Sequence, residues 1–168
     1  MAKLSILIFI LVIIASIHAI PLSFNKLNIR DADEKTITIE SEEEFCGFLP
    51  RNEHQGIGAS EDDAVAFCTK DTSNAPGARL FPDGFIQSAH FASEDDYVQI
   101  TGRIDNSIYV NPNDGGGQYD KNAPSGAVCH GFKHFVNLVE PDSGLYCIRC
   151  CKNKKNCPLG KSTEGCEA

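Results

Sequence analysis

The chain begins with a mostly apolar run from Leu4 to Ala15, which follows Lys3 and ends shortly before the small residue Ala19. A basic start, an apolar middle and a small residue at the end are typical of a secretory signal peptide. The run is shorter than the ~20 apolar residues that span a bilayer. The pattern therefore predicts a signal peptide over residues 1–19, cleaved after Ala19, with a retained membrane anchor as the alternative.

Residues 20–44 are polar and free of cysteine, and they become increasingly acidic up to the three glutamates at 42–44. Such a composition is typical of a flexible segment. The sequence therefore predicts a leader or pro-segment ahead of a domain that begins near Phe45. The alternative is an edge strand, because apolar and polar residues alternate from Thr36 to Ile39.

The segment from Ser60 to Lys70 predicts a short helix. Ser60 precedes Asp63 by three residues, an arrangement similar to a helix capping box, and the sequence AVAFCTK follows. Pro76 and Gly77 then interrupt the pattern. The segment is long enough for only about two or three helical turns.

Downstream of Phe85 the pattern is that of β-strands. In residues 97–104, YVQITGRI, the apolar Val98, Ile100 and Ile104 share one face, while the polar residues and the tyrosine share the other. This alternation predicts a half-buried strand. Turn-forming residues follow at 105–107 and lead into SIYV, so a hairpin between these two stretches is expected.

Two further strands are predicted at residues 132–139 and 145–151, separated by a turn that begins at Pro141. Short strands interrupted by turns at this spacing favour a β-sandwich or a small barrel. The predicted fold is a single, mostly β domain over residues 45–168, a disulfide-stapled β-sandwich or small barrel with at most one short helix.

Eight cysteines follow the predicted signal peptide, and an even number behind a secretory signal indicates a disulfide framework. If residues 145–151 form a strand, the adjacent Cys150 and Cys151 face opposite sides and pair with different partners. A local Cys151–Cys157 loop with a longer Cys150–Cys166 bridge is compatible with this condition, as are several other pairings. The sequence leaves the pairing of these cysteines open. The cysteines predicted to form disulfides are Cys46, Cys68, Cys129, Cys147, Cys150, Cys151, Cys157 and Cys166.

The chain carries 15 basic and 23 acidic residues, a net charge of −8. A negatively charged protein is repelled by phosphate backbones and by anionic membrane surfaces, so neither nucleic acid nor a membrane is an expected partner. The stretch from Arg149 to Lys161 is a local exception, because its basic residues are not interrupted by an acidic one. It is either a solvated turn or a docking surface for an anionic partner.

The glycine-rich segment at 114–120, DGGGQYD, is the best candidate for a ligand-binding loop. Its glycines allow a backbone to approach a ligand closely, and Asp114, Gln118, Tyr119 and Asp120 offer oxygen ligands for calcium or hydrogen bonds for a sugar. A glycine-rich loop also forms without any ligand. The absence of tryptophan weakens the sugar-binding interpretation, because sugar sites rely on flat aromatic rings.

Other spacings admit metal or redox chemistry, but structural disulfides explain them more simply. Cys147 and Cys150 have the spacing of a redox pair, yet the predicted surroundings are β-strands without a helix to activate a thiol. His130 and His134 are ~13 Å apart on a strand, too far to share a zinc ion. No metal, cofactor or catalytic residue is therefore expected.

A succession of motifs along the chain is more specific than any one of them. The motifs are FPDGF (81–85), YVQITGRID (97–105), DGGGQYD (114–120), GAVCHGF (126–132), FVNLVEPD (135–142), YCIRCC (146–151) and CPLGKSTEGC (157–166). In this order they resemble a family of small secreted cysteine-rich proteins of fungi, over most of the chain from Phe45 to Cys166. The resemblance implies a fungal extracellular setting, and it carries over no catalytic residue.

The sequence thus predicts a secreted, non-enzymatic protein that binds a cell wall or the surface of a host or partner, as effector-like proteins do. The alternative is a polysaccharide-binding or weakly polysaccharide-active wall protein that uses the loop at 114–120.

Overall fold

The computed structural model describes residues 34–160 and 162–167. The predicted signal peptide and the leader up to residue 33 lie outside these ranges. Helical structure within them is confined to 3-10 turns at Gly58–Ser60, Lys154–Asn156 and Ser162–Glu164. The strands are β1 (Thr36–Ile37), β2 (Cys46–Leu49), β3 (Val65–Cys68), β4 (Arg79–Leu80), β5 (Ile86–Glu94), β6 (Tyr97–Ile104), β7 (Gly117–Asp120), β8 (Val128–Cys129), β9 (His134–Glu140) and β10 (Leu145–Cys151).

These strands form three sheets in the described part of the chain. Five of them make an antiparallel sheet in the order β5–β6–β10–β9–β7, three make a second sheet in the order β2–β3–β4, and β1 pairs with β8. The sheets do not close into a barrel, and the prediction of a mostly β, disulfide-linked fold is confirmed. Over the same residues, we find no helix with the length and apolar character needed to cross a membrane.

Strands β6 and β10 lie where the sequence pattern predicted them, and β10 has the predicted bounds. The predicted hairpin between residues 97–104 and 107–110 is wrong. Strand β6 forms its hairpin with β5, through a turn at Asp95 and Asp96. Because the other edge of β6 is occupied by β10, no edge is left for residues 107–110, which are irregular.

The predicted helix between Ser60 and Lys70 is also wrong. The capping-like pattern ends in one 3-10 turn, and Val65–Cys68 form β3, whose residues are all buried. Strand β3 is the middle strand of its sheet, between β2 and β4. A strand covered on both faces is apolar throughout and shows no alternation, so its sequence resembles that of a buried helix.

The three-stranded and five-stranded sheets pack face to face. The ring centres of Phe48 in β2 and Phe135 in β9 are 5.5 Å apart. The buried Asn137 of β9 accepts a hydrogen bond from the backbone N–H of Phe48 at 2.6 Å. A Cβ at Gly47 would lie only 2.6 Å from Cδ1 of Ile148. Apolar packing and one buried polar contact therefore join the two sheets, at a separation so small that a side chain at position 47 would displace the Ile148 side chain.

Two disulfides reinforce this core. Cys46–Cys68 joins β2 to β3 at directly opposite positions. Cys129–Cys150 joins β8 to β10. Because β8 also pairs with β1, the second bridge ties the β1–β8 pair to the five-stranded sheet.

Residues 34–44, which the sequence analysis placed ahead of the domain, lie within the fold. Ile37 and Ile39 are buried, and the strand at Thr36–Ile37 corresponds to the alternative interpretation of this region. Glu34 is nearly buried, and its carboxylate forms ion pairs with Arg51 at 2.8 Å and Arg79 at 3.2 Å. Buried isoleucines and a paired charge hold a segment whose overall composition is polar.

We expect Glu34→Gln to lower the free energy of unfolding by about 1–3 kcal/mol, because it leaves Arg51 and Arg79 without their anionic partner. Denaturant unfolding measures the effect. Glu53→Gln removes the same charge from an exposed side chain and should cost less than about 0.5 kcal/mol. Equal stability of the two variants would show that Glu34 does not hold the N-terminal segment.

Candidate functional site

The outer face of the five-stranded sheet, turned away from the second sheet, carries a mixture of polar and apolar side chains. Side chains alternate along β10, so Tyr146, Ile148 and Cys150 are buried while Cys147 and Arg149 lie on the outer face. The strand register aligns the outer-face residues of β6, β10, β9 and β7 in two rows, Thr101–Cys147–Leu138–Gln118 and Gln99–Arg149–Val136–Asp120.

Two disulfides fasten the segment after β10 across this face. The backbone N–H of Cys166 donates to Oε2 of Glu140 at 3.0 Å. The carbonyl oxygen of Leu159 accepts a hydrogen bond from Nε2 of Gln118 at 3.3 Å. The C-terminal segment therefore reaches from β10 to β7 over the sheet. The bridges that hold it are Cys147–Cys166 and Cys151–Cys157.

A cavity of about 170 Å³ lies between the sheet and the C-terminal segment. The segment contributes Pro158, Gly165 and Cys166 to its wall. The floor combines hydrogen-bonding side chains with an apolar centre, which is the composition of sites for small organic ligands. The floor residues are Gln99, Thr101, Gln118, Val136, Leu138 and Arg149.

Arg149 is held rigidly at one end of this cavity. Its Nε donates to Oε1 of Gln99 at 2.6 Å, and its guanidinium carbon lies 4.4 Å from the ring centre of Tyr97. A further N–H donates to the carbonyl oxygen of Asn156 at 3.3 Å. The ion pairs found within the described ranges do not include Arg149. The cavity thus contains a cation that is oriented by neutral groups.

Gln118 lies at the opposite end of the cavity. Its Nε2 donates to Oδ2 of Asp120 at 3.0 Å and to the carbonyl oxygen of Leu159. Its Oε1 is buried and has no hydrogen-bond partner among the described residues. Because Nε2 already faces two acceptors, the amide cannot be reversed without loss. A buried acceptor therefore remains unsatisfied at this end.

The four candidate residues of the 114–120 loop do not form one site. Asp114 uses both carboxylate oxygens locally, accepting from the backbone N–H groups of Ile57 at 2.6 Å and Gly116 at 3.0 Å. Tyr119 points into the core, and its hydroxyl shares a hydrogen bond with Oγ of Ser60 at 2.8 Å. Only Gln118 and Asp120 lie together on the outer face.

Close packing explains two of the three glycines of this loop. Gly116 has a φ of +94°, which favours glycine, and a Cβ there would collide with the carbonyl oxygen of Val139. A Cβ at Gly117 would lie 2.9 Å from the backbone nitrogen of Gly58. The backbone itself therefore requires glycine at 116 and 117, whereas a Cβ at Gly115 would meet nothing within 4 Å.

The adjacent Cys150 and Cys151 pair with different partners, as strand alternation predicted. Of the two compatible bridges named from the sequence, Cys151–Cys157 is present and Cys150–Cys166 is not, because Cys150 faces the core. Cys147 and Cys150 lie on opposite faces, and all eight cysteines are in disulfides. Over residues 34–160 and 162–167, no group of three or more His, Cys, Asp or Glu is placed to hold a metal ion.

The residues at the cavity were only partly anticipated. The sequence placed Gln99 and Thr101 on the polar face of β6 and Arg149 in a basic stretch. The pairing of β6 with β10 sets Gln99 directly beside Arg149. The alternation of side chains along a strand predicted which face these residues occupy. Nothing in the sequence predicted the order of the strands in the sheet.

Two proteins of the fungus Mycosarcoma maydis are similar to this chain. Appressorium protein ROW1 is 43% identical over 99 residues, which are 58% of this chain and 22% of ROW1. Appressorium protein ROW2 is 29% identical over 160 residues, covering 79% of this chain and 51% of ROW2. The matches thus span about a fifth and about half of these relatives. No family model matches the chain, and no solved structure matches it significantly.

Burial raises the pKa of Tyr119 and Tyr146 far above the ordinary tyrosine value. In the unfolded chain, tyrosine hydroxyls ionise with a pKa of about 10. The stability that these two buried hydroxyls contribute is therefore fully present below pH 10 and is lost as the pH rises above it. In an ultraviolet titration, we expect both tyrosines to ionise only as the protein unfolds. Ionisation of Tyr119 in the folded protein at about pH 10 would place its hydroxyl at the surface and contradict its assignment to the core.

We expect the double variant Cys147→Ser, Cys166→Ser to lose about 2–4 kcal/mol of stability and to release the segment that covers the cavity. Chymotryptic cleavage after Leu159 under native conditions should become faster. The matched control, Cys46→Ser with Cys68→Ser, removes a core bridge and should leave this local cleavage unchanged in molecules that remain folded. Unchanged cleavage in the first variant would show that the bridge does not hold the segment.

Proposed function

We propose that this chain is a secreted, non-enzymatic binding protein that acts on a cell wall or on the surface of a host or partner. The observation that carries the proposal is the use of two disulfides to fix a segment over the outer face, where they enclose a cavity. Disulfides persist in oxidising compartments outside the cytosol. A cavity with fixed walls on a rigid sheet is suited to binding.

The similarity to two appressorium proteins supports this proposal. An appressorium is the specialised cell with which a fungus attaches to a surface and enters it. Both relatives carry this cell in their names, which supports a setting at a surface for this chain. Because the chain matches only part of each relative, their names support the proposed setting of this protein at a surface. They do not support any particular ligand.

The alternative proposal is a polysaccharide-binding or weakly polysaccharide-active wall protein that uses the 114–120 loop. A second cavity of about 500 Å³ favours it, because carboxylates at Glu61, Asp120 and Glu140 border it together with the glycines at 115–117. Paired carboxylates serve glycoside hydrolysis. Asp120 already accepts hydrogen bonds from Gln118 and from the backbone N–H of Asn122, which favours binding over proton transfer.

Incubation of the secreted protein with insoluble chitin, β-glucan and cellulose, and with intact fungal and host cells, separates these proposals. We expect the protein to be depleted from solution by at least one of these surfaces without release of soluble sugar. The variant that lacks the Cys147–Cys166 bridge should bind less than the variant that lacks Cys46–Cys68.

Release of soluble sugar that Asp120→Asn abolishes would contradict the non-enzymatic proposal and support the alternative. Failure to bind any wall material or cell surface would contradict both. Equal binding by the two disulfide variants would place the binding surface away from the C-terminal segment.

A further inference from the structure

We propose that the outer-face cavity binds an acidic oligosaccharide, with a uronate carboxylate at Arg149 and sugar hydroxyls at Gln118. The inference rests on the proposed function as a surface-binding protein, and it names the ligand class of that cavity. It depends on the charge at one end of the cavity, on the unsatisfied acceptor at the other end, and on the distance between them.

The Arg149 end selects an anion. The hydrogen bond to Gln99 and the stacking on Tyr97 fix the plane of the guanidinium. Its nearest partners are uncharged, so its positive charge is not neutralised by an ion pair within the described ranges. A planar guanidinium presents parallel N–H groups that match the two oxygens of a carboxylate.

The surroundings of Arg149 reinforce this preference. The Cys151–Cys157 bridge closes a short loop that includes the exposed Lys154 and Lys155, and the same loop contributes the Asn156 carbonyl that contacts Arg149. The acidic turn between β5 and β6 contacts the first lysine of the loop, Lys152, through a backbone carbonyl oxygen. The basic residues at 149, 152, 154 and 155 therefore exceed the three acidic residues of that turn, at 94–96, by a single charge, in a chain whose net charge is −8.

The Gln118 end selects a hydrogen-bond donor. Gln118 lines this end of the cavity, and its Oε1 has no partner in the described part of the chain. Because that oxygen is closed to solvent, a ligand hydroxyl supplies the missing donor once the Gln118 side chain turns towards the cavity. Asp120 lies beside it and repels a carboxylate. A simple anion such as phosphate can pair with Arg149 but is too small to place a hydroxyl donor at Gln118. A neutral glucan offers hydroxyl donors but no negative charge for Arg149. A sugar that carries a carboxylate satisfies both ends, in one orientation.

The spacing sets the minimum length of the ligand. Gln118 on β7 and Arg149 on β10 are separated by β9 and are offset by two residues along the strands, because Arg149 is level with Asp120. The usual strand spacing and rise per residue place their Cα atoms about 12 Å apart. This exceeds the width of one sugar ring. The apolar Val136 and Leu138 lie between the two ends and offer contact to the C–H faces of the rings. A ligand that reaches both ends is therefore a disaccharide or a longer oligomer, and part of it extends outside the cavity of about 170 Å³.

Isothermal titration calorimetry with trigalacturonate and with a glucuronate oligosaccharide tests the proposal on the secreted protein. We expect at least one acidic oligomer to bind, and its methyl ester, which lacks the charge, to bind about tenfold or more weakly. The comparison of the two acids distinguishes a galacturonan from a glucuronan source. Inorganic phosphate is the control for a simple anion and should bind more weakly than the oligomer.

Arg149→Gln should weaken binding of the acidic oligomer by about tenfold or more. Arg103→Gln removes the same charge from the outer face of the sheet, on β6 and outside the cavity, and it should change affinity by less than about twofold. Arg149→Lys keeps the charge and loses the planar fork, so it should also bind more weakly. Gln118→Leu should weaken binding of the acid and binding of its methyl ester by similar factors, because it removes the contact to the sugar hydroxyls, which both ligands carry.

Equal binding of acid and ester, or equal effects of Arg149→Gln and Arg103→Gln, would overturn the proposal. If both arginine variants of position 149 fail to fold, the comparison of acid with ester and the Gln118→Leu result still decide it. If the protein adheres to walls or cells but binds neither acidic oligomer, this inference is overturned and the proposed function stands. Absence of adherence to every surface would overturn the proposed function itself.

Discussion

Strand β10 carries cysteines at 147, 150 and 151, and the opposite orientation of neighbouring side chains in a strand decides what each of them joins. Cys150 faces the core and holds β8, whereas Cys147 and Cys151 face outward and hold the C-terminal segment. The same strand is the centre of the five-stranded sheet. A slip of one residue in its register would turn all three cysteines to the wrong faces, so the core and the cavity depend on one alignment.

The sequence was sufficient where the structural determinant is local. Alternation in residues 97–104 and 145–151 predicted β6 and β10 and the separate partners of Cys150 and Cys151. It was insufficient where the determinant is distant. Strand β3 is apolar on both faces because other parts of the chain cover it, and Glu34 is retained in the fold because Arg51 and Arg79 are brought to it. Neither condition is visible in a short window of sequence.

The candidate site shows the same division. The glycines at 115–117 suggested an irregular loop, although the last of them begins strand β7. Alternation along that strand separates Tyr119, in the core, from Gln118 and Asp120 on the outer face. The opposition of Gln118 and Arg149 across a cavity depends on strand order and on the path of the C-terminal segment. Both are tertiary features, so the sequence contained the side chains of the site but not their arrangement.

The central claim is that disulfides on the outer face of β10 build the binding surface, and a disulfide map of the secreted protein tests it most directly. Peptide mapping without reduction, with fragmentation that separates the adjacent Cys150 and Cys151, identifies each partner. We expect Cys147–Cys166 and Cys151–Cys157 beside the core bridges Cys46–Cys68 and Cys129–Cys150. A Cys150–Cys166 bridge, or free thiols at Cys147 and Cys166, would contradict it.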